Sequence, residues 1–252
     1  MLTYALRHAG DTLDWFVFIV MGLIAVTVAL VVHEVAHGLV AKWNGDYTAK
    51  YAGRLSLNPL KHFDLIGFIM MMLVGFGYAK PVPVNPSNFK HYRRGLITVA
   101  IAGVIANLIL AIFGTLMACL MNLAYNHALI DGAGSGAVRL CWYLMQFFIM
   151  FSTINLSLLF FNILPIFPLD GFRVVEALTH YGNRFCAFMR TNGQYILYGL
   201  VGLSFIVSAA SSRVNVPYWF EYIDVLGTYL RFFTSHVYNL FVSFWQLMVP
   251  LY

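Results

Sequence analysis

The fold class that this sequence predicts is a mostly α-helical membrane protein, a polytopic bundle of about five transmembrane helices, and three observations carry it. The 252 residues are 61% hydrophobic and 10% charged with a mean hydropathy of +0.77, whereas soluble domains run at roughly 45–50% apolar and about 25% charged. The apolar residues also gather into runs near the ~20 residues that a helix needs to cross a bilayer. Finally, the basic residues collect between those runs on one side, as they do in membrane proteins of fixed orientation.

The elements follow in chain order. The first apolar run covers 15–41, and no charge occurs from Trp15 to Val32. It is longer than a secretory signal core, has only Arg7 before it and lacks a small-residue cleavage site after it, so it is expected to stay in the mature protein. The polar stretch 42–64 contains Tyr51, Leu55 and Leu57 alternating with polar neighbours until Asn58-Pro59 ends the pattern. That alternation predicts a short β-strand around 51–57, whose edge could accept an extended peptide, and an interfacial loop fits equally well. Residues 65–79 are apolar but short and glycine-containing, and the KPVPVNP segment at 80–86 cannot be a regular helix. Together they predict re-entrant backbone, tolerated where protein or water satisfies its polar groups; a rigid surface linker is the alternative. Further spans are expected at 96–121, 142–164, 195–210 and 237–251. No connection is long enough for a separate folded domain, so 1–252 reads as one integral-membrane domain.

The net charge of +5 does not point to nucleic acid, because its distribution is topological. If the first span enters from outside and 65–79 does not cross, Lys42, Lys50, Arg54, Lys61, Lys80, Lys90, Arg93, Arg94, Arg173, Arg184 and Arg190 share one side. Arg7, Arg139 and Arg213 fall on the other, and Arg231 precedes the last span. The positive-inside rule then turns the end of the first span toward the cytoplasm. Cys119, Cys141 and Cys186 form no CxxC pair and read as small apolar fillers.

At that end of the first span stands HEVAH, residues 33–37. Positions i and i+4 share a helix face, so His33 and His37 can direct two imidazoles at one ion with Glu34 beside them. Hydrolysis by zinc needs about three protein ligands and an open position for water. The histidine of the longer HExxHxxGxxH pattern is missing, because Gly38, Leu39, Val40, Ala41, Lys42 and Trp43 follow His37. Asp170 is the candidate third ligand. It ends the run FFNILPIFPLDG, where no other charge occurs, and an acid in such surroundings is costly unless paired or bound to metal. A solvated helix cap is the other reading. Asn162, in the same run, could fix a substrate backbone or steady an oxyanion, or it could join helices in the bilayer. Asn155 raises the same question. Asn107 reads as a hydrogen-bonding residue in a small-residue span, and His62 as either a group behind the ligands or a solvated loop side chain.

These motifs together resemble the site-2 protease family of intramembrane zinc metalloproteases. The resemblance rests on HEVAH at 33–37, GRLSLNPLKHFDLIG at 53–67, AKPVPVNP at 79–86, AGVIAN at 102–107 and NILPIFPLDG at 162–171, in that order. It covers about 15–180, which leaves additional membrane helices over about 195–252. It implies one Zn2+ per chain held by His33, His37 and Asp170, with Glu34 the catalytic glutamate and Asn162 positioning substrate. It further implies a transmembrane protein or peptide as substrate, a lipid bilayer as setting and no nucleic acid; the oligomeric state does not follow. Val104 stands where the family usually has proline, and the chain resembles a minimal form without the PDZ or nucleotide-binding domain of many relatives. The expected activity is zinc-dependent hydrolysis of a peptide bond within or near a transmembrane segment. A metal-binding transporter or a non-proteolytic scaffold is the competing class. Glu34 discriminates between them, because only hydrolysis needs a carboxylate next to the first ligand.

Overall fold

The computed structural model describes residues 12–62, 64, 80–180, 182–213 and 218–248, and every regular element among them is helical. Helix α1 spans Thr12–Trp43, with Asp14 in its first turn and Lys42 in its last, both favourable to the helix dipole. After it come the single turn α2 (Thr48–Tyr51), α3 (Tyr92–Ile130), α4 (Ser135–Ile163), the short α5 (Asp170–Leu178), α6 (Arg184–Arg213) and α7 (Val225–Met248). By length and composition α1, α3, α4 and α6 can cross a membrane. The expected fifth run, 237–251, falls largely in α7, whose described residues do not join that set: His236, Asn239 and Gln246 make it amphipathic.

The strand expected over 51–57 does not form. Asp46 accepts hydrogen bonds from the Thr48 amide and hydroxyl, which starts a helical turn that runs through Tyr51. A turn at 52–53 with Gly53 at φ +65° follows, and Asn58 then caps a 3-10 turn over Pro59–Lys61. Tyr51 and Leu57 remain 83% and 67% exposed. Alternation makes a strand only where a neighbour takes up its backbone groups, and here the amides of 51–54 bond to carbonyls of 47–50 while the Ser56 carbonyl accepts from the His62 ring. The 80–85 segment is extended, as its prolines require. The re-entrant stretch 65–79 lies outside the described residues; its described flanks meet, since the Lys80 N–H donates to the His62 carbonyl at 2.9 Å.

The chain packs as two units. One comprises Met1–Ala29, Asn107–Ser157 and Phe233–Tyr252. Within it Phe18 meets Trp142 edge-to-face at 5.7 Å, Asp14 pairs with Arg139 and Tyr143, and the Ser152 hydroxyl donates to the Ala111 carbonyl at 2.9 Å. Buried Asn155 donates to the Phe151 carbonyl within its own helix. Small residues and hydroxyls at helix contacts are how apolar helices associate without a hydrophobic drive. The other unit, Leu30–Ala106 and Leu158–Phe232, holds HEVAH and Asp170. Phe161, Leu169, Leu197 and Leu226 form a core there, and Asp224 caps α7 by accepting from the Gly227 N–H at 2.7 Å.

Candidate metal centre

His33 and His37 stand one turn apart on α1, 5% and 6% exposed, with ring centroids 4.6 Å apart in an edge-to-face pair. Asp170 arrives from a different element. Helix α4 stops at Ile163, Pro165 and Pro168 interrupt the chain, and α5 begins at Asp170 itself. The capping position belongs to Leu169, which makes no side-chain cap bond, and Asp170 is only 8% exposed. The solvated-cap reading is therefore excluded.

The Asp170 Oδ2 atom lies 3.2 Å from His33 Nε2 and 3.1 Å from His37 Nε2, and the two Nε2 atoms are 3.0 Å apart. His37 Nδ1 is 2.6 Å from the Val99 carbonyl oxygen. A carbonyl only accepts, so Nδ1 carries the proton and Nε2 presents its lone pair. Despite the two close nitrogens, Asp170 Oδ2 is a buried atom without a satisfied hydrogen bond. Ligand-type atoms from three side chains thus converge within 3.0–3.2 Å of one another, with the Asp170 oxygen among them left without a satisfied hydrogen bond. A cation answers that arrangement. A tetrahedral zinc bound at about 2.0–2.1 Å sets neighbouring donor atoms roughly 3.3 Å apart, close to the separations here. The residues fit the ion.

Glu34 is held by backbone. Its Oε2 accepts the Val82 N–H at 2.8 Å, and Val82 lies between Pro81 and Pro83, which have no N–H to offer. Gly38, one turn beyond Glu34, lets this extended strap close on α1: a Cβ there would meet Leu55 Cδ2 at 2.5 Å and Val82 Cγ1 at 3.0 Å. The strap is fastened at both ends. The Arg54 guanidinium donates to the carbonyls of Lys61, Lys80 and Pro81. Asp46 Oδ2 accepts the Asn85 N–H at 2.7 Å. Asp46 is fully buried. Burial alone would raise its carboxyl above the usual range, and hydrogen bonds from Thr48, Asn88 and Asn85 outweigh this and hold it below.

Of the residues singled out in the sequence, His33, His37 and Asp170 come together and Glu34 stands beside them on α1. Asn162 sits half-buried in the last turn of α4, and its Nδ2 donates to the Leu158 carbonyl at 3.0 Å rather than to any of the four. His62 is no solvated side chain: it is 1% exposed, and its Nε2 donates to the Ser56 carbonyl at 2.8 Å. It supports the loop beneath the strap instead of a ligand. Sequence reasoning missed Val99, Val82, Arg54 and Asp46. The first two act through backbone atoms, which residue type does not reveal. The proline-flanked Val82 in KPVPV was the one available signal.

In sequence the chain is similar to known metalloproteases. A family model described as peptidase family M50 matches residues 137–206, which include Asn162 and Asp170 but not HEVAH. A Bacillus subtilis protein named "Putative zinc metalloprotease YwhC" is 43% identical over 162 residues, 64% of this chain and 70% of its own length. A Mycolicibacterium smegmatis protein named "Putative zinc metalloprotease Rip2" is 26% identical over 195 residues, 70% of this chain and 68% of its own. No solved structure gives a significant match. The chain is an integral membrane protein, and it belongs to peptidase family M50, the site-2 protease family of metalloproteases.

Proposed function

We propose that the protein is a zinc-dependent endopeptidase that hydrolyses a peptide bond within or near the transmembrane segment of a membrane-anchored substrate. The observation that carries this is the meeting of His33 Nε2, His37 Nε2 and Asp170 Oδ2 at 3.0–3.2 Å, with a carboxylate on the residue next to the first histidine. His33, His37 and Asp170 would hold the zinc, which supplies a Lewis acid and an acidified water near neutral pH. The chain's own groups do the rest. Glu34, with one oxygen anchored by the Val82 N–H, takes the proton of the attacking water on the other and passes it to the leaving amine. Asn162 would offer Oδ1 to a substrate N–H, and the second Nδ2 hydrogen, not used by the Leu158 carbonyl, would serve a developing oxyanion. A helical substrate hides its carbonyls in hydrogen bonds, so it must unwind locally before any of this. The basic side that contains Lys42, Arg93 and Arg94 supports an orientation with the centre toward the cytoplasmic face.

The test compares membrane proteins of cells that carry the wild-type chain or Glu34→Gln. A short transmembrane protein that accumulates uncut only with Glu34→Gln, while the variant keeps its zinc, is the expected outcome. Cleavage by Glu34→Gln refutes the role of Glu34. Zinc flux into proteoliposomes without any proteolysis would favour a transporter.

A further inference from the structure

We infer that Gly103, on α3, is the side-chain-free wall of the metal cradle and a positioning residue for the ion. A Cβ built on Gly103 would lie 2.5 Å from His33 Cε1 and 2.6 Å from Nε2 of both His33 and His37. Ordinary carbon contacts sit at about 3.5–4.0 Å, so a methyl group has no room there. Two of the three atoms it would strike are the nitrogens proposed to face the ion, and the third is the ring carbon bonded to one of them. The His37 imidazole cannot easily retreat, because the Val99 carbonyl holds its far nitrogen at 2.6 Å.

Val99 and Gly103 are four residues apart and share one face of α3. The carbonyl of the first orients an imidazole from behind; the bare Cα of the second keeps open the space in front of its lone pair. The glycine is needed for volume and not for an unusual backbone, since it lies inside a regular helix and outside the positive-φ set. Gly114 on the same helix makes the contrast. A Cβ there would meet Phe151 and Ser152 at 3.0–3.2 Å and no donor atom.

This inference rests on reading His33, His37 and Asp170 as a zinc site, and the experiment separates the two. The full chain is purified in detergent and stripped of metal. Wild type, Asp170→Ala, Gly103→Ala and Gly114→Ala are then titrated with zinc against a chromophoric chelator. Wild type and Gly114→Ala should bind near one zinc per chain, and Asp170→Ala and Gly103→Ala should bind more than tenfold more weakly. Gly103→Ala within tenfold of wild type, beside an impaired Asp170→Ala, overturns the role of Gly103 and leaves the zinc site standing. So does an equal loss in Gly114→Ala. A wild type that binds no zinc overturns the site and the inference together. Thermal midpoints of the metal-free proteins give a second readout. Gly103→Ala should lower the midpoint less when His33 and His37 are both alanine, because the clashing rings are gone; an equal loss refutes the contact. If Gly103→Ala alone does not fold, recovery of folding in that double-alanine background supports the contact, and failure to recover overturns it.

Discussion

Val82→Pro is the perturbation that isolates the strap from the metal. It deletes one atom of consequence, the amide hydrogen donated to Glu34 Oε2 at 2.8 Å, and it leaves an extended backbone that already carries Pro81 and Pro83. A hydrogen bond to a charged group contributes about 1.5–3 kcal/mol. If that energy fixes the carboxylate in its reactive position, its loss lowers kcat by roughly 10- to 150-fold at about 1.4 kcal/mol per decade. Folding should suffer less, because Glu34 is half-buried and water can replace the lost donor. Zinc affinity should hold, since the strap bears none of the three donor atoms. The assay measures kcat, KM and zinc content with a transmembrane substrate identified through Glu34→Gln. Val82→Ala, which keeps the N–H, is the control and should stay within a few-fold of wild type. A kcat within twofold of wild type in Val82→Pro with zinc retained would refute the positioning role. Parallel loss of zinc and activity would mean that the strap acts on the cradle instead.

The other predictions follow from neighbouring contacts. Arg54→Lys should lower kcat much as Val82→Pro does, because an ammonium cannot span the three carbonyls that the guanidinium fork reaches. Combining the two should add little, since both act through one strap, and additive losses would separate them. Asp46→Asn should flatten the acid side of the stability profile. The folded carboxyl titrates below its unfolded value, so its contribution is complete above the unfolded value and is lost as pH falls toward the folded one. Thermal midpoints from about pH 7 down to about pH 3 check this, and an unchanged slope would sink it. Asn162→Ala should reduce kcat/KM by about tenfold or more at unchanged zinc affinity, the usual scale for one lost polar substrate contact; unchanged turnover would remove Asn162 from the substrate path.

Much of this protein is decided locally, and that part was legible. Whether a run can cross a bilayer depends on the summed hydropathy of about twenty consecutive residues, so α1, α3, α4 and α6 could be read directly. The His33/His37 pair follows from helical periodicity alone, and Asp170 stood out because an isolated acid in an apolar run must have a partner. The strand expected over 51–57 failed for the complementary reason. Period-two alternation is a local signal, but pairing is not local, and here the amides of 51–54 bond to carbonyls of the preceding turn while the Ser56 carbonyl accepts from His62. In α7 the apolar run is helical through Met248, and His236, Asn239 and Gln246 leave its described residues outside the set apolar enough to cross a membrane.

The chain by itself thus determined which side chains have the chemistry to hold and use a metal, because donor type and helical spacing are properties of sequence. Only the tertiary structure decided which atoms complete the centre. Val99 lends a carbonyl, Val82 an amide hydrogen and Gly103 an empty volume, and nothing in a residue's identity announces such roles. Contacts of about 3 Å between segments tens of residues apart depend on how helices pack, and packing is where backbone acquires function.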